Sequence, residues 1–135
     1  AARRNSLTDR KAKIMAKFLF VYRGGKSEED MSKMSPEDMQ KSMQIWMDWI
    51  ESGMKAGWLV DGGDALLPGG SVVQPDLTVT DGPFAESKEL VGGYSMVEAA
   101  DLAAAVELAK GCPMPAGGGT VEVRQLACVG EPQAD

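Results

Sequence analysis

The sequence contains no histidine. Ser-His-Asp and Cys-His catalysis, and the common zinc sites, all depend on an imidazole, so this chain can run none of them. Cysteine is almost as scarce. Cys112 and Cys128 have neither C-x-x-C spacing nor the density of a disulfide framework, and they read as plain buried thiols in a reducing, cytoplasmic compartment. No apolar run approaches the ~20 residues needed to cross a bilayer, which argues against a membrane role.

Basic charge is missing where a nucleic-acid binder would need it. Residues 1–14 hold Arg3, Arg4, Arg10, Lys11 and Lys13 against Asp9 alone, a local charge of +4, and the net charge of −6 therefore leaves −10 for the rest. Neutralising phosphates takes clustered Lys and Arg, and the remainder has the wrong sign. Segment 1–14 also lacks the apolar stretch of a secretory signal. Met15 directly precedes the first strand-like run, so 1–14 is expected to be an appended leader or a loose basic arm, the functional alternative being an arm that reaches a partner's acidic surface. Residues 131–135 form a polar tail. What remains, 15–130, is a single domain with ordinary globular composition, the whole chain being 44% hydrophobic and 25% charged.

Within it, residues 17–23 alternate as a strand, Phe18, Phe20 and Tyr22 on one face and Leu19 and Val21 on the other. A polar loop is expected from Gly24 to Ser35. Ser35-Pro36-Glu37-Asp38 then supplies an N-cap, a proline at the first helical position and acids in the first turn. The helix should run to about Met54, with Met39, Met43, Trp46, Met47, Ile50 and Met54 as its apolar stripe and Gly57 as its stop. Trp58–Leu67 reads as a strand interrupted by Asp61-Gly62-Gly63-Asp64, and Ser71–Thr80 as a further strand or hairpin arm. Lys88–Glu98 is a strand with Gly92-Gly93 as a bulge or close approach. Asp101 caps a second helix with Leu102, Ala105, Val106 and Ala109 buried, ended by Gly111-Cys112-Pro113. Thr120–Val129 is the last strand.

Strand, helix, strands, helix, strand is the pattern of an α+β, ferredoxin-like split βαβ sheet with an extra hairpin and helices on one face. The aromatics of the first strand alternate with residues that face the helices, so the other sheet face also needs cover, and a second copy would supply it.

Several motifs compete with blander readings. Gly24-Gly25-Lys26-Ser27 resembles the end of a P-loop, but Phe20 stands where the leading glycine belongs, and Glu28-Glu29-Asp30 would repel a phosphate; a charged turn is the better reading. The methionine run offers an adaptable groove or an ordinary helix core, and the spacing favours core. Asp61, Asp64 and Asp81 offer oxygen ligands for Mg²⁺ or Ca²⁺, yet Asp-Gly steps are turn formers first, and no metal or cofactor is assigned. Asp81-Gly82-Pro83-Phe84-Ala85-Glu86-Ser87-Lys88-Glu89 packs a turn former, a conformational lock, an aromatic and four charges between two strands, and stands evenly between site and scaffold. Glu122 and Arg124 share a strand face; they either project into a cleft or neutralise each other.

The stretch from Asp81 to Glu89, followed by Leu90-Val91-Gly92-Gly93-Tyr94, resembles the signature of DGPF proteins, a branch of the YCII-related families. Trp49, Gly53, Leu67-Pro68, Cys112-Pro113 and Val121-Glu122-Val123-Arg124 extend the resemblance from about Ala16 to Leu126. It implies a dimeric α+β barrel and, for some relatives, a regulatory setting beside extracytoplasmic-function sigma factors. Other YCII-like members are proposed enzymes with a His-Asp pair; here only Asp81 could match, as the acidic partner.

These readings lead to a homodimer holding a small polar or acidic ligand in a cleft near Asp81-Gly82-Pro83-Phe84. Phe84, Lys88, Tyr94, Glu122 and Arg124 would line it. The rival is a small cofactor-free enzyme, isomerase- or lyase-like, with Asp81 or Glu86 as general base. A third reading is a protein-interaction module linked to sigma-factor regulation.

Overall fold

Alternation decides the first strand, β1 (Ala16–Gly24), in which Phe18, Phe20 and Tyr22 are all buried. In the computed structural model, which describes residues 15–24, 28–67, 69–82 and 90–128, β1 lies between β5 (Val91–Ala99) and β6 (Gly119–Gln125), with β2 (Leu59–Ala65) beyond β5. Every pairing is antiparallel. The basic arm, the polar tail, Gly25, Lys26, Ser27, Phe84, Glu86 and Lys88 lie outside the described residues. A separate two-stranded ribbon, β3 (Ser71–Val73) and β4 (Val79–Asp81), resolves the expected hairpin arm between β2 and β5.

The sheet is open at β2 and at β6, so one chain is an α+β layer and not a closed barrel. The last strand ends at Gln125, four residues before the expected Val129. The supposed loop after β1 contains a five-residue helix, α1 (Glu28–Ser32), too short for periodicity to announce it.

The helix α2 (Pro36–Ala56) starts and stops on its local signals. The Ser35 hydroxyl accepts from the Asp38 N–H at 3.1 Å, which satisfies one of the free donors of the first turn. Gly57 closes the helix in the left-handed region (φ 86°), its N–H bonding Gly53 and Met54 carbonyls. Asp101 caps α3 (Leu102–Lys110) in the same way, accepting from the Ala104 N–H at 2.8 Å. A short turn of helix, α4 (Pro113–Ala116), follows it.

Both long helices cover one sheet face. Trp46 meets Tyr22 edge-on at 5.2 Å, Trp49 meets Phe20 at 6.4 Å, and Trp58 adds to Trp49 at 5.3 Å. Ala105 and Ala109 bring α3 onto the same core. This corrects two expectations. The aromatics of β1 face the helices, which leaves Leu19 and Val21 for the open side. On α2 the packed stripe is Trp46, Trp49, Ile50 and Gly53, whereas Met39, Met43, Met47 and Met54 are exposed. Indole rings bury more apolar area than thioethers, and their placement turns the helix. On α3, Leu102 is exposed too, and only Ala105 and Ala109 are fully buried.

One polar chain runs through this core. Tyr22 donates to the fully buried Ser95 hydroxyl at 2.7 Å, and Ser95 donates to the Gly62 carbonyl at 2.7 Å. Burial pushes the Tyr22 hydroxyl far above its ordinary range, the Ser95 bond offsetting part of this, so it remains a neutral donor. Tyr22→Phe should cost about 1 kcal/mol, one hydrogen bond. Ser95→Ala strands both the hydroxyl and the carbonyl, and about 2–3 kcal/mol is expected. Chemical denaturation of the two variants checks the order; equal losses would contradict it.

Candidate functional site

The sheet face that no helix among the described residues covers carries the chemistry. In an antiparallel ladder, paired residues share a face, so Leu19 and Val21 stand there with their partners Met96 and Tyr94 on β5 and Arg124 and Glu122 on β6. Lys17 pairs with Glu98, and Arg23 with Thr120, on the same side. Leu19, Val21 and Met96 are half-buried, and Tyr94 is exposed. The result is an apolar centre with charge at its margins.

The principal cluster is at the β6 margin. Arg23 donates from Nε to Glu122 Oε1 at 3.2 Å, and Arg124 donates from Nη1 to Glu122 Oε2 at 3.2 Å. Two guanidiniums thus share one carboxylate. The hydrogen bonds from Arg124 and then Arg23 hold the Glu122 carboxyl below its usual range. Because a depressed carboxyl pKa favours the ionised, paired form, the cluster persists on acidification until the pH falls through that lowered value.

At the opposite margin, β2 is broken by register shifts between Leu59 and Asp61 and between Asp61 and Asp64. Asp61 accepts from the Gly63 N–H at 2.8 Å and Asp64 from the Ala65 N–H at 2.8 Å. Both carboxylates serve the bulge, in keeping with turn formation. Among the described residues no three His, Cys, Asp or Glu side chains gather as a metal-ligand set.

The structure therefore brings Glu122 and Arg124 together and sets Tyr94 on the same face, across β1. Asp81 is elsewhere: it ends β4 on the ribbon, exposed, opposite Ser71. Phe84, Glu86 and Lys88 lie outside the described residues. Sequence reasoning missed Arg23 as the second cation, although it follows Leu19 and Val21 at the same period-two step. It also missed Ser95, which nothing in its neighbours singles out. Cys112 is buried and its thiol pushed up by that burial, as expected of an inert cysteine; Cys128 is only partly covered.

The description of the YCII-related domain fits residues 15–127, from the residue before β1 to beyond the end of β6. The chain belongs to the YCII-related family. No curated protein matches it. The YCII-related domain here includes the whole four-stranded sheet, the helices and the ribbon, and so both margins of the open face. Among the described residues of this YCII-related domain, no helix is long and apolar enough to cross a membrane.

Proposed function

We propose that this YCII-related domain works as a homodimer that holds a small acidic ligand against the open face of its sheet. The observation that carries the reading is the Arg23–Glu122–Arg124 cluster, two guanidinium forks on one carboxylate, beside the half-buried Leu19, Val21 and Met96. Arginine forks match carboxylate and phosphate oxygens two at a time, and an apolar neighbour strengthens such bonds by excluding water. An uncovered apolar sheet face calls for a second layer, and a second copy gives one about 10 Å away with a cleft between. The strand order β2-β5-β1-β6, with helical crossovers from β1 to β2 and from β5 to β6, supports a ferredoxin-like, DGPF-type subunit of a dimeric α+β barrel. Free thiols at Cys112 and Cys128 suit a cytoplasmic setting.

Binding is better supported than general-base catalysis. Asp81 is exposed on β4, without the burial that makes a carboxylate an effective base. The test pairs two measurements. In sedimentation, Val21→Glu should convert a dimer to a monomer. In NMR titrations with succinate and with inorganic phosphate, Arg124→Gln should weaken binding roughly tenfold, one charge-assisted contact, and Glu122→Gln should tighten it by releasing the Arg124 fork from its carboxylate. Affinities unchanged in both variants would refute the ligand assignment, and a dimer untouched by Val21→Glu would refute the interface.

A further inference from the structure

Two apolar features stand open among the described residues. The first is the tip of the β3–β4 ribbon. Val73 and Val79 pair directly across it and are 64% and 63% exposed. Leu77 at the turn is 79% exposed and holds φ 72°, a left-handed conformation that a leucine rarely adopts. The turn is nevertheless well made. Gln74 N–H bonds the Thr78 carbonyl at 2.8 Å, Leu77 N–H bonds the Gln74 carbonyl at 2.8 Å, and Asp76 accepts from the Thr78 hydroxyl at 2.6 Å. A two-stranded ribbon is marginal by itself, and here a rigid tip is spent on displaying a strained leucine to water. Glycine or asparagine would serve the turn alone better.

The second feature is an open groove of about 360 Å³ under the β6 edge, on the helix side. Leu102, Val106 and Ala109 of α3 form one wall and Val121 and Val123 of β6 the other, with Pro115 at one end. Lys110 lies at its margin, where its ammonium meets the exposed Glu107 at 3.4 Å. Such an exposed pair is weak and easily exchanged.

We propose that the ribbon tip of one copy docks in the α3–β6 groove of a second copy, Leu77 entering the apolar trough and Asp76 meeting Lys110. Charge supports the match. The groove has a cation at its margin, and the tip has an anion adjoining its leucine, kept ionised by the Thr78 hydrogen bonds. Leu77 is exposed in its own chain, so it does not fill its own groove. The ribbon leaves the sheet after β2, at the edge opposite β6, roughly 14 Å away across three strand spacings. If the open faces pair about a two-fold axis along the strands, the β2 edge of each copy comes over the β6 edge of the other, which brings each ribbon beside the edge it passes to reach the groove on the helix side. The contact goes beyond the open-face reading and does not depend on any ligand.

The experiment follows self-association of the full chain by sedimentation equilibrium, with melting temperature measured in parallel. Leu77→Gly should weaken association at least tenfold and raise the monomer's Tm by a few degrees, because glycine relieves the left-handed backbone. A merely structural Leu77 would show the Tm rise alone. Val106→Arg should block the groove and weaken association to a similar extent. A photoreactive side chain placed at position 77 should label the 102–123 segment of another copy. Association unchanged in both variants, or labelling confined to other segments, would overturn the proposal; if Val21→Glu still dissolved the dimer in that case, the open-face reading would stand without it.

Discussion

Replacing Gly63 by alanine is expected to destabilise the domain by about 4 kcal/mol, since neither the backbone angle nor the space admits a side chain. Gly63 sits at φ 69° inside the β2 bulge, and a Cβ there would run into the carbonyl oxygen and carbon of Tyr94. The obstacle is backbone in a central strand, so no rotamer change relieves it. Either the bulge shifts, taking the Gly62 carbonyl away from Ser95, or β2 leaves β5. Stabilities of small domains are only ~5–15 kcal/mol, so the variant should melt roughly 15 °C lower. Differential scanning calorimetry measures it directly. A loss under about 1 kcal/mol would show that the bulge is soft.

Trp49→Ala comes next, with about 3 kcal/mol expected from lost burial and the void left behind. Trp49 is the meeting point of the aromatic seam: it touches Phe20 at 6.4 Å, Trp46 at 6.0 Å and Trp58 at 5.3 Å. Removing it detaches α2 from β1 and from the entry to β2 together. Trp46→Ala, which removes contacts with two rings instead of three, should cost less. Urea titrations of both variants check the ranking, and a larger loss at Trp46 would show that the seam is anchored through Tyr22 instead.

Much of the fold was legible because its signals are local. Ser35-Pro36 and Gly57 bound α2, Asp101 opens α3, and the alternation from Phe18 to Tyr22 names β1. The errors arise where a choice depends on the rest of the molecule. Met39, Met43 and Met47 and Trp46, Trp49 and Ile50 both recur at helical spacing, and spacing alone does not say which stripe meets the sheet. The residues from Ser35 to Ile45 are all exposed, so the first turns of α2 extend past its packing surface. Similarly, alternation divides β1 into two faces without saying which one the helices take. That choice moved Glu122 and Arg124 away from the aromatics of β1 and beside Leu19 and Val21.

The candidate site was half legible for the same reason. Glu122 and Arg124 two residues apart on a strand must share a face, and they do pair. Arg23 comes to the same carboxylate only through strand register, across β1 and β6, which no local pattern encodes. Asp81 was marked by its neighbours in sequence, and the described part of its surroundings is a ribbon end.

The arrangement of aromatics also separates what light can report. All three tryptophans, Trp46, Trp49 and Trp58, lie in one seam on the helix side of the sheet. Their emission should follow the docking of α2 and its loss on unfolding as a single, strongly coupled signal. The open face has only Tyr94 among described aromatics, on the far side of the β-layer. An intrinsic-fluorescence assay would thus register folding sharply while remaining nearly blind to occupancy of the Arg23–Arg124 margin, for which a reporter has to be introduced.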